Sequence, residues 1–113
     1  MPHDIIEYSK MLKKNLPVKE LLSVVHVGVL ASGLFKEASI KTRVIEFVHH
    51  QTGLTNSPFI HITLKILHGR DHQKKTLIKI VFDKIYEVIQ PPISLSVEVM
   101  DIDKVSYKRK VIE

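Results

Sequence analysis

Along this 113-residue chain the apolar residues change their spacing twice, both times in the same order. A stretch of period two gives way to one with the period of a helix, and then period two returns. Residues 3–9 read as an opening strand. A helix follows from about residues 15–17, with Pro17 in the first turn, where a missing N–H is tolerated. Its stripe is Val18, Leu21, Leu22, Val25 and Val29, the i, i+3, i+4, i+7, i+11 series of one buried face, and Gly33 is its stop. Residues 39–48 alternate again, with Lys41, Arg43 and Ile45 on one face and Ile40, Thr42 and Val44 on the other. The polar link 51–57, which contains Gly53, resets the pattern. Residues 59–67 form a second β-rich run with Ile60, Ile62, Leu64 and Ile66 on one face. Gly69, Arg70 and Asp71 turn the chain into a second helix, with Asp71 as its predicted N-cap. That helix carries Leu77, Ile78, Val81, Phe82, Ile85 and Ile89 and ends at Pro91-Pro92, before a fourth strand over 95–102.

Strand–helix–strand, repeated, predicts an α/β (α+β) fold of duplicated β-α-β units: one four-stranded sheet with two helices on one face. The expected organisation is a single domain over 1–113, with units 1–50 and 58–103, the link 51–57 and a C-terminal arm 104–113. Each crossover is long enough for a parallel pair, which chirality makes right-handed. A ferredoxin-like antiparallel sheet shares this order of elements and stays open at this point. Apolar residues point both ways along each strand, so another sheet face or an oligomer contact must cover the side away from the helices. Pro58 stands in the second half roughly where Pro2 stands in the first.

Composition narrows the function. The longest apolar run, 24–35, is interrupted by His26 and Ser32 and falls short of the roughly 18 residues a membrane span needs. Asp4 and Glu7 sit where a signal peptide would be basic, and the absence of cysteine excludes disulfide or thiol chemistry and fits a cytoplasmic protein. The net charge of +5 is spread over helix-face lysines and the tail Lys108-Arg109-Lys110, the pattern of solvated surface. An RNA-binding βαββαβ module would need aromatic pairs on its strands, and aromatics make up only 6% of the chain, so no nucleic-acid partner is expected. Seven histidines raise the question of metal, but no residue set completes one around His68 and His72, and His49 and His50 diverge on an extended segment. His26 and His61 are read as packing or hydrogen-bonding within the fold, and no Ser-His-Asp arrangement is visible.

Pro2 carries the chemistry. Once Met1 is removed, as a small following residue favours, Pro2 exposes a secondary amine. An α-amino group has a reference pKa of about 8, and burial and nearby cations lower it toward the range where a base works at neutral pH. With Met1 retained, the same nitrogen is an amide without basicity.

The residues so ordered resemble the tautomerase superfamily, whose members use an amino-terminal proline as catalytic base. The segment Ile66-Leu-His-Gly-Arg-Asp-His-Gln-Lys-Lys-Thr-Leu-Ile78 is similar to the strand-to-helix turn of 4-oxalocrotonate tautomerase. The nearest overall resemblance is to 5-carboxymethyl-2-hydroxymuconate isomerases. It runs through residues 1–9, 31–35, 40–44 and 59–66 to Gly69-Arg70, in register over nearly the whole chain apart from the loop near 49–57 and the last ten residues. The resemblance implies a homotrimer with sites near subunit boundaries and no metal or organic cofactor. It further implies a proton shift in a dienol or unsaturated 2-oxo polycarboxylic acid from aromatic-acid breakdown. By the same resemblance Pro2 is the base, Arg70 matches the substrate-binding Gly-Arg, and Arg43 matches a second arginine on the strand after the first helix. Lys41 stands where these isomerases carry arginine and lacks the planar fork that grips a carboxylate in two places. His3 is expected at the pocket mouth. Other proline-dependent reactions of the superfamily, such as keto–enol tautomerisation, dehalogenation or hydration, are the alternative that Lys41 and the unmatched loop leave open.

Overall fold

The computed structural model describes residues 2–113. Strand β1 (His3–Ser9) leads through a 3-10 turn (Lys10–Lys14) into helix α1 (Val18–Ala31) and strand β2 (Lys41–Phe47). Strand β3 (Phe59–Leu67), helix α2 (Lys74–Tyr86) and strand β4 (Ser94–Ile102) repeat the order. The strands form one sheet in the order β2-β1-β3-β4. β1 runs parallel to β2 and β3 parallel to β4, while β1 and β3 meet antiparallel in the centre. The parallel pairs are hydrogen-bonded neighbours, which excludes the ferredoxin-like alternative, where each parallel pair is split by an antiparallel strand.

The two halves begin alike. The carbonyl of Pro2 accepts the N–H of Lys41 at 3.1 Å, and the carbonyl of Pro58 accepts the N–H of Ser94 at 3.3 Å. A proline without an N–H thus stands just ahead of each half's first strand and opens its parallel ladder through its carbonyl.

Both helices lie on one face of the sheet and pack against each other at Gly28, where a Cβ would stand 3.5 Å from the Val81 Cα. The helix-facing strand positions are Ile6 and Tyr8 on β1 and Ile60, Ile62, Leu64 and Ile66 on β3, all buried. Leu21, Val25 and Val29 of α1 and Leu77, Val81 and Ile85 of α2 close over them. Each such aliphatic side chain stabilises the fold by about 1.5–3 kcal/mol of transfer free energy. Tyr8 reaches through this layer to donate to Glu46 at 3.2 Å, and burial together with the Glu46 carboxylate pushes its hydroxyl up to about 12. The opposite face carries His3 and Ile5 of β1, Lys41, Arg43 and Ile45 of β2, His61, Thr63 and Lys65 of β3, and Ser96, Glu98 and Met100 of β4.

Two local expectations are corrected. Asp71 is not the N-cap of α2. It opens a 3-10 turn (Asp71–Gln73), and its carboxylate pairs with the Lys74 ammonium at 2.8 Å, so the helix proper starts at Lys74 behind Gln73. The second helix also stops at Tyr86, short of Pro91: the N–H groups of Val88 and Ile89 both turn back to the Ile85 carbonyl, so Ile89 packs from the loop.

Candidate active site

Parallel pairing within each half and antiparallel pairing between halves bring four strand ends together. β1 and β2 start where β3 and β4 finish: His3 stands opposite Lys41 on one side and Lys65 on the other, and Lys65 pairs with Met100. Pro2 is buried at this end, its carbonyl held by Lys41. Consecutive strand residues point to opposite faces, so the side chains around Pro2 divide into two groups.

On the face away from the helices lie His3, Lys41, Arg43 and Lys65. The Arg43 guanidinium donates to His3 Nδ1 at 3.3 Å. An arginine only donates, so the neutral imidazole carries its proton on Nε2 and offers it to the Tyr107 hydroxyl at 3.3 Å. Tyr107 belongs to the C-terminal arm, and its ring meets the His3 ring edge-on at 6.3 Å. Burial first, then the charges of Arg43 and Lys41, hold the His3 imidazolium below its ordinary pKa. A cavity of about 360 Å³ opens here, lined by His3, Arg43, Lys65, Met100 and Tyr107 among others. Lys41 shares the face but does not line that cavity.

On the helix side, Gly69 leaves β3 with φ of 109°, a conformation that glycine adopts freely, and delivers Arg70 to the turn before α2. The Arg70 guanidinium sits 5.1 Å from the centre of the Phe35 ring and donates one bond to Gln73 at 3.3 Å. A flat cation stacked on an aromatic face keeps most of its donors free for an anion. Among the described residues no hydrogen bond or cavity joins Arg70 to the His3–Arg43 group. The structure therefore gathers His3, Arg43 and Lys41 on one side of the strand ends and Arg70 on the other, with Pro2 at the boundary.

Deeper on the helix side is a group that the reading of the motifs missed. Asp4 is 0% exposed, and its Oδ2 accepts the Thr42 hydroxyl at 2.9 Å. Thr42 Oγ1 lies 2.7 Å from Nδ1 of His26 on α1. Burial raises the Asp4 carboxyl to about 6, against the opposing pull of the Thr42 hydrogen bond and the His26 and Arg43 charges. The signal was available: period two over residues 3–9 puts Asp4 on the side of Ile6 and Tyr8.

His61 hydrogen-bonds within the fold, as expected of it, in a second network that joins two strands. On the exposed face His61 bridges Ser96 (Nδ1 to Oγ, 2.6 Å) and Glu98 (Nε2 to Oε2, 2.7 Å). It lines none of the cavities described here, and the Ser96 backbone is committed to the sheet ladder in register with His61. On an exposed sheet face, outside the cavities that the structure shows among the described residues, it is a cross-strand tie rather than a nucleophilic centre. A larger cavity, about 690 Å³, lies at the far end of the sheet between Lys10–Lys14 and His49-His50. It is an open groove, and one of its lysines, Lys13, is engaged by Glu46 at 3.2 Å. Among the described residues no three His, Cys, Asp or Glu side chains converge as metal ligands, and His68 turns instead to Asp101 at 3.4 Å.

Comparison with known proteins sets this geometry in a family. The structure of a 5-carboxymethyl-2-hydroxymuconate isomerase from Deinococcus radiodurans R1 matches with a TM-score of 0.83 and 24% identity, covering 96% of this chain and 88% of that one. A 5-carboxymethyl-2-hydroxymuconate delta-isomerase matches with a TM-score of 0.87 and 14% identity over 98% of this chain and 88% of the other. A fused 4-OT described as a wild-type symmetric trimer gives a TM-score of 0.74 and 16% identity over 91% and 87%. At these identities the likeness speaks to the fold alone. No curated protein matches the chain significantly. The profile of one family, 5-carboxymethyl-2-hydroxymuconate isomerase, matches residues 2–113, and the chain belongs to that isomerase family.

Proposed function

We propose that this protein moves a proton within a dienol or unsaturated 2-oxo polycarboxylic acid of the 5-carboxymethyl-2-hydroxymuconate kind, with the Pro2 amine as base, as a step in aromatic-acid breakdown. The observation that carries the reading is that Pro2 is buried at the one sheet end where His3, Lys41, Arg43 and Arg70 all lie. With Met1 removed, the amine takes the proton of the dienol hydroxyl. The O–H electron pair becomes the 2-oxo C=O bond, the double bonds shift along the chain, and the same amine returns its proton to the distant carbon. One group serves both steps, which suits a base whose pKa lies near the working pH. Arg70 and Arg43 bind carboxylates and stabilise the charge that develops on the 2-oxo oxygen, and His3 and Lys41 add to the positive field at the mouth. No cofactor enters any step.

The protein acts as a cytoplasmic homotrimer on this reading. The outer sheet face, with Ile45 at 48% and Met100 at 45% exposure, supplies apolar surface for such contacts. A trimeric relative of the same fold supports the assembly. Lys41 favours a second reading, in which the same amine serves another reaction on an unsaturated acid, since an ammonium is a point charge where the resemblance calls for a fork.

The test begins with the mass of the purified chain, which must lack one methionine. Pro2→Ala is expected to lose most isomerase activity, roughly the hundredfold or more that a general base contributes, and Arg70→Ala to raise KM or lower kcat. Wild-type rates in both variants refute the assignment. Ketonisation of phenylpyruvate without turnover of the muconate selects the second reading.

A further inference from the structure

We propose that His26, Thr42 and Asp4 form a proton-bearing positioning relay behind Pro2, through which the charge of the Asp4 carboxylate sets how readily the Pro2 amine gives up its proton. The inference rests on the reading of Pro2 as base and adds to it a group on the opposite side of the strand from the cations.

The chain of bonds is directional. A hydroxyl has one proton, so when Thr42 gives its own to Asp4, its oxygen must accept from His26, which fixes the Nδ1–H tautomer there. When Asp4 is protonated, the same two bonds can reverse, with Asp4 donating to Thr42 and Thr42 to an unprotonated His26 Nδ1, the ring proton of His26 then lying on Nε2. His26 is half-buried and Asp4 fully buried, so the relay runs from the surface of α1 through β2 to the first inward-pointing carboxylate of β1. The other Asp4 oxygen, Oδ1, is buried without a hydrogen-bond partner among the described residues.

The fold itself does not ask for these residues, and the second half of the chain shows why. Counting from Pro2 and Pro58, Asp4 corresponds to Ile60, and its parallel-register partner Thr42 corresponds to Leu95. Ile60 is fully buried and Leu95 packs against the same core, so an apolar pair fills this position without difficulty. A buried carboxylate with one unpaired oxygen is costly by comparison. It occurs only in the half whose leading proline can become a free amine.

The electrostatics give it a task. Pro2 stands one residue ahead of β1 and two residues from Asp4, about 7 Å along an extended chain. The charged groups bearing on Asp4 are His26 from α1 and Arg43 from β2, its register partner on β3 is Leu64, and no charged group of α2 acts on it among the described residues. An Asp4 anion stabilises the Pro2 ammonium, whereas Arg43 and Lys41 disfavour it. The amine is held between opposing fields, and a carboxyl that titrates near 6 alters that balance in mildly acid solution.

The experiment follows the Pro2 amine by NMR titration in the Met1-processed protein, alongside the pH profile of kcat/KM for muconate isomerisation. Asp4→Asn should lower both the amine midpoint and the acid limb by roughly one and a half to two units, the effect of one charge at that spacing and an effective dielectric of about 20. Thr42→Val should move both the same way, because an unbonded Asp4 stays neutral, and Thr42→Ser, which keeps the hydroxyl, should move neither. If Asp4→Asn does not fold, the Thr42 pair carries the test. Midpoints that coincide in wild type, Asp4→Asn and Thr42→Val overturn the relay, leaving Asp4 a packing residue. Full activity in Pro2→Ala overturns instead the reading of Pro2 as base, whatever the titrations show.

Discussion

Asp4→Asn also makes a prediction about stability that needs no substrate. In the unfolded chain Asp4 titrates near 3.8, and in the folded protein burial raises it to about 6. Between these values the native state holds a proton that the unfolded state has lost, so stability falls as pH rises through the window and is level above it. This is the reverse of a salt-bridged aspartate, which gains stability over the same range. A shift of about two units, each worth about 1.4 kcal/mol, sets an upper bound of about 3 kcal/mol on the cost of the ionised side chain at neutral pH. The substituted amide would keep the Thr42 hydroxyl bond on its carbonyl oxygen but bury an NH2 group with no acceptor, returning about 1 kcal/mol of that gain. The variant should therefore be about 1–2 kcal/mol more stable than wild type at pH 8 and of equal or lower stability at pH 4. Urea unfolding followed by circular dichroism at fixed protein concentration measures this at half-unit intervals, with the m-value checked for constancy. The difference between the two curves is the decisive quantity, since other groups titrate alike in both proteins. A difference that stays flat from pH 4 to pH 7, or that favours wild type at pH 8, refutes the buried-carboxylate argument.

Two glycines give opposite predictions. Gly28→Ala should stabilise the protein by about 0.5–1 kcal/mol, because it lies within α1 and its Cβ meets Val81 and Lys84 at ordinary contact distances of 3.5–3.7 Å. Gly28→Leu should lose about 1–3 kcal/mol by forcing the helices apart, and thermal unfolding separates the two cases. Gly69→Ala meets no atom within 4 Å, so its cost is purely the strained φ of 109°, about 1–3 kcal/mol. Relief of that strain would swing Arg70 off Phe35, and a rise in KM larger than any loss of kcat is the kinetic sign to look for.

The strands were legible because β-branched residues alternate cleanly: the pattern over residues 59–67 matches its strand to the residue, and that over 95–102 matches within one. Crossover length allowed the parallel pairs, but only the pairing of β1 with β2 and of β3 with β4 excludes the ferredoxin-like alternative. What escaped the sequence reading depended on register. His61 cannot be known to bridge Ser96 and Glu98 until β3 and β4 are aligned, and His3 meets Arg43 only because β1 and β2 pair His3 with Lys41. The 3-10 turn Lys10–Lys14 is anchored by a single buried apolar residue, Leu12, too little to make a period. Asp71 obeyed the composition rule for a cap, but its carboxylate was drawn to Lys74 instead. The set Pro2, His3, Lys41, Arg43 and Arg70 was assembled by resemblance; where four strand ends meet, the fold brings Pro2, His3, Lys41 and Arg43 to one sheet end, while Arg70 lies on the other side of those ends against Phe35.

That meeting also explains why one short strand start can carry opposing influences. His3 points away from the helices into a basic surface with Arg43 and Lys65, while Asp4 points inward, its carboxylate fully buried and hydrogen-bonded to Thr42. Low-dielectric surroundings strengthen the inner charge and solvent weakens the outer ones, so one buried anion can balance several exposed cations. An amine lying between them would ionise at neither extreme. The sensitivity to salt should differ accordingly: added electrolyte screens Arg43, Lys41 and Lys65 but hardly reaches Asp4, tipping the balance toward the ammonium. On the proposed reading, the acid limb of the isomerase profile therefore moves to higher pH as ionic strength rises, and it does so in Asp4→Asn as well, because the screened charges lie on the other side of the sheet.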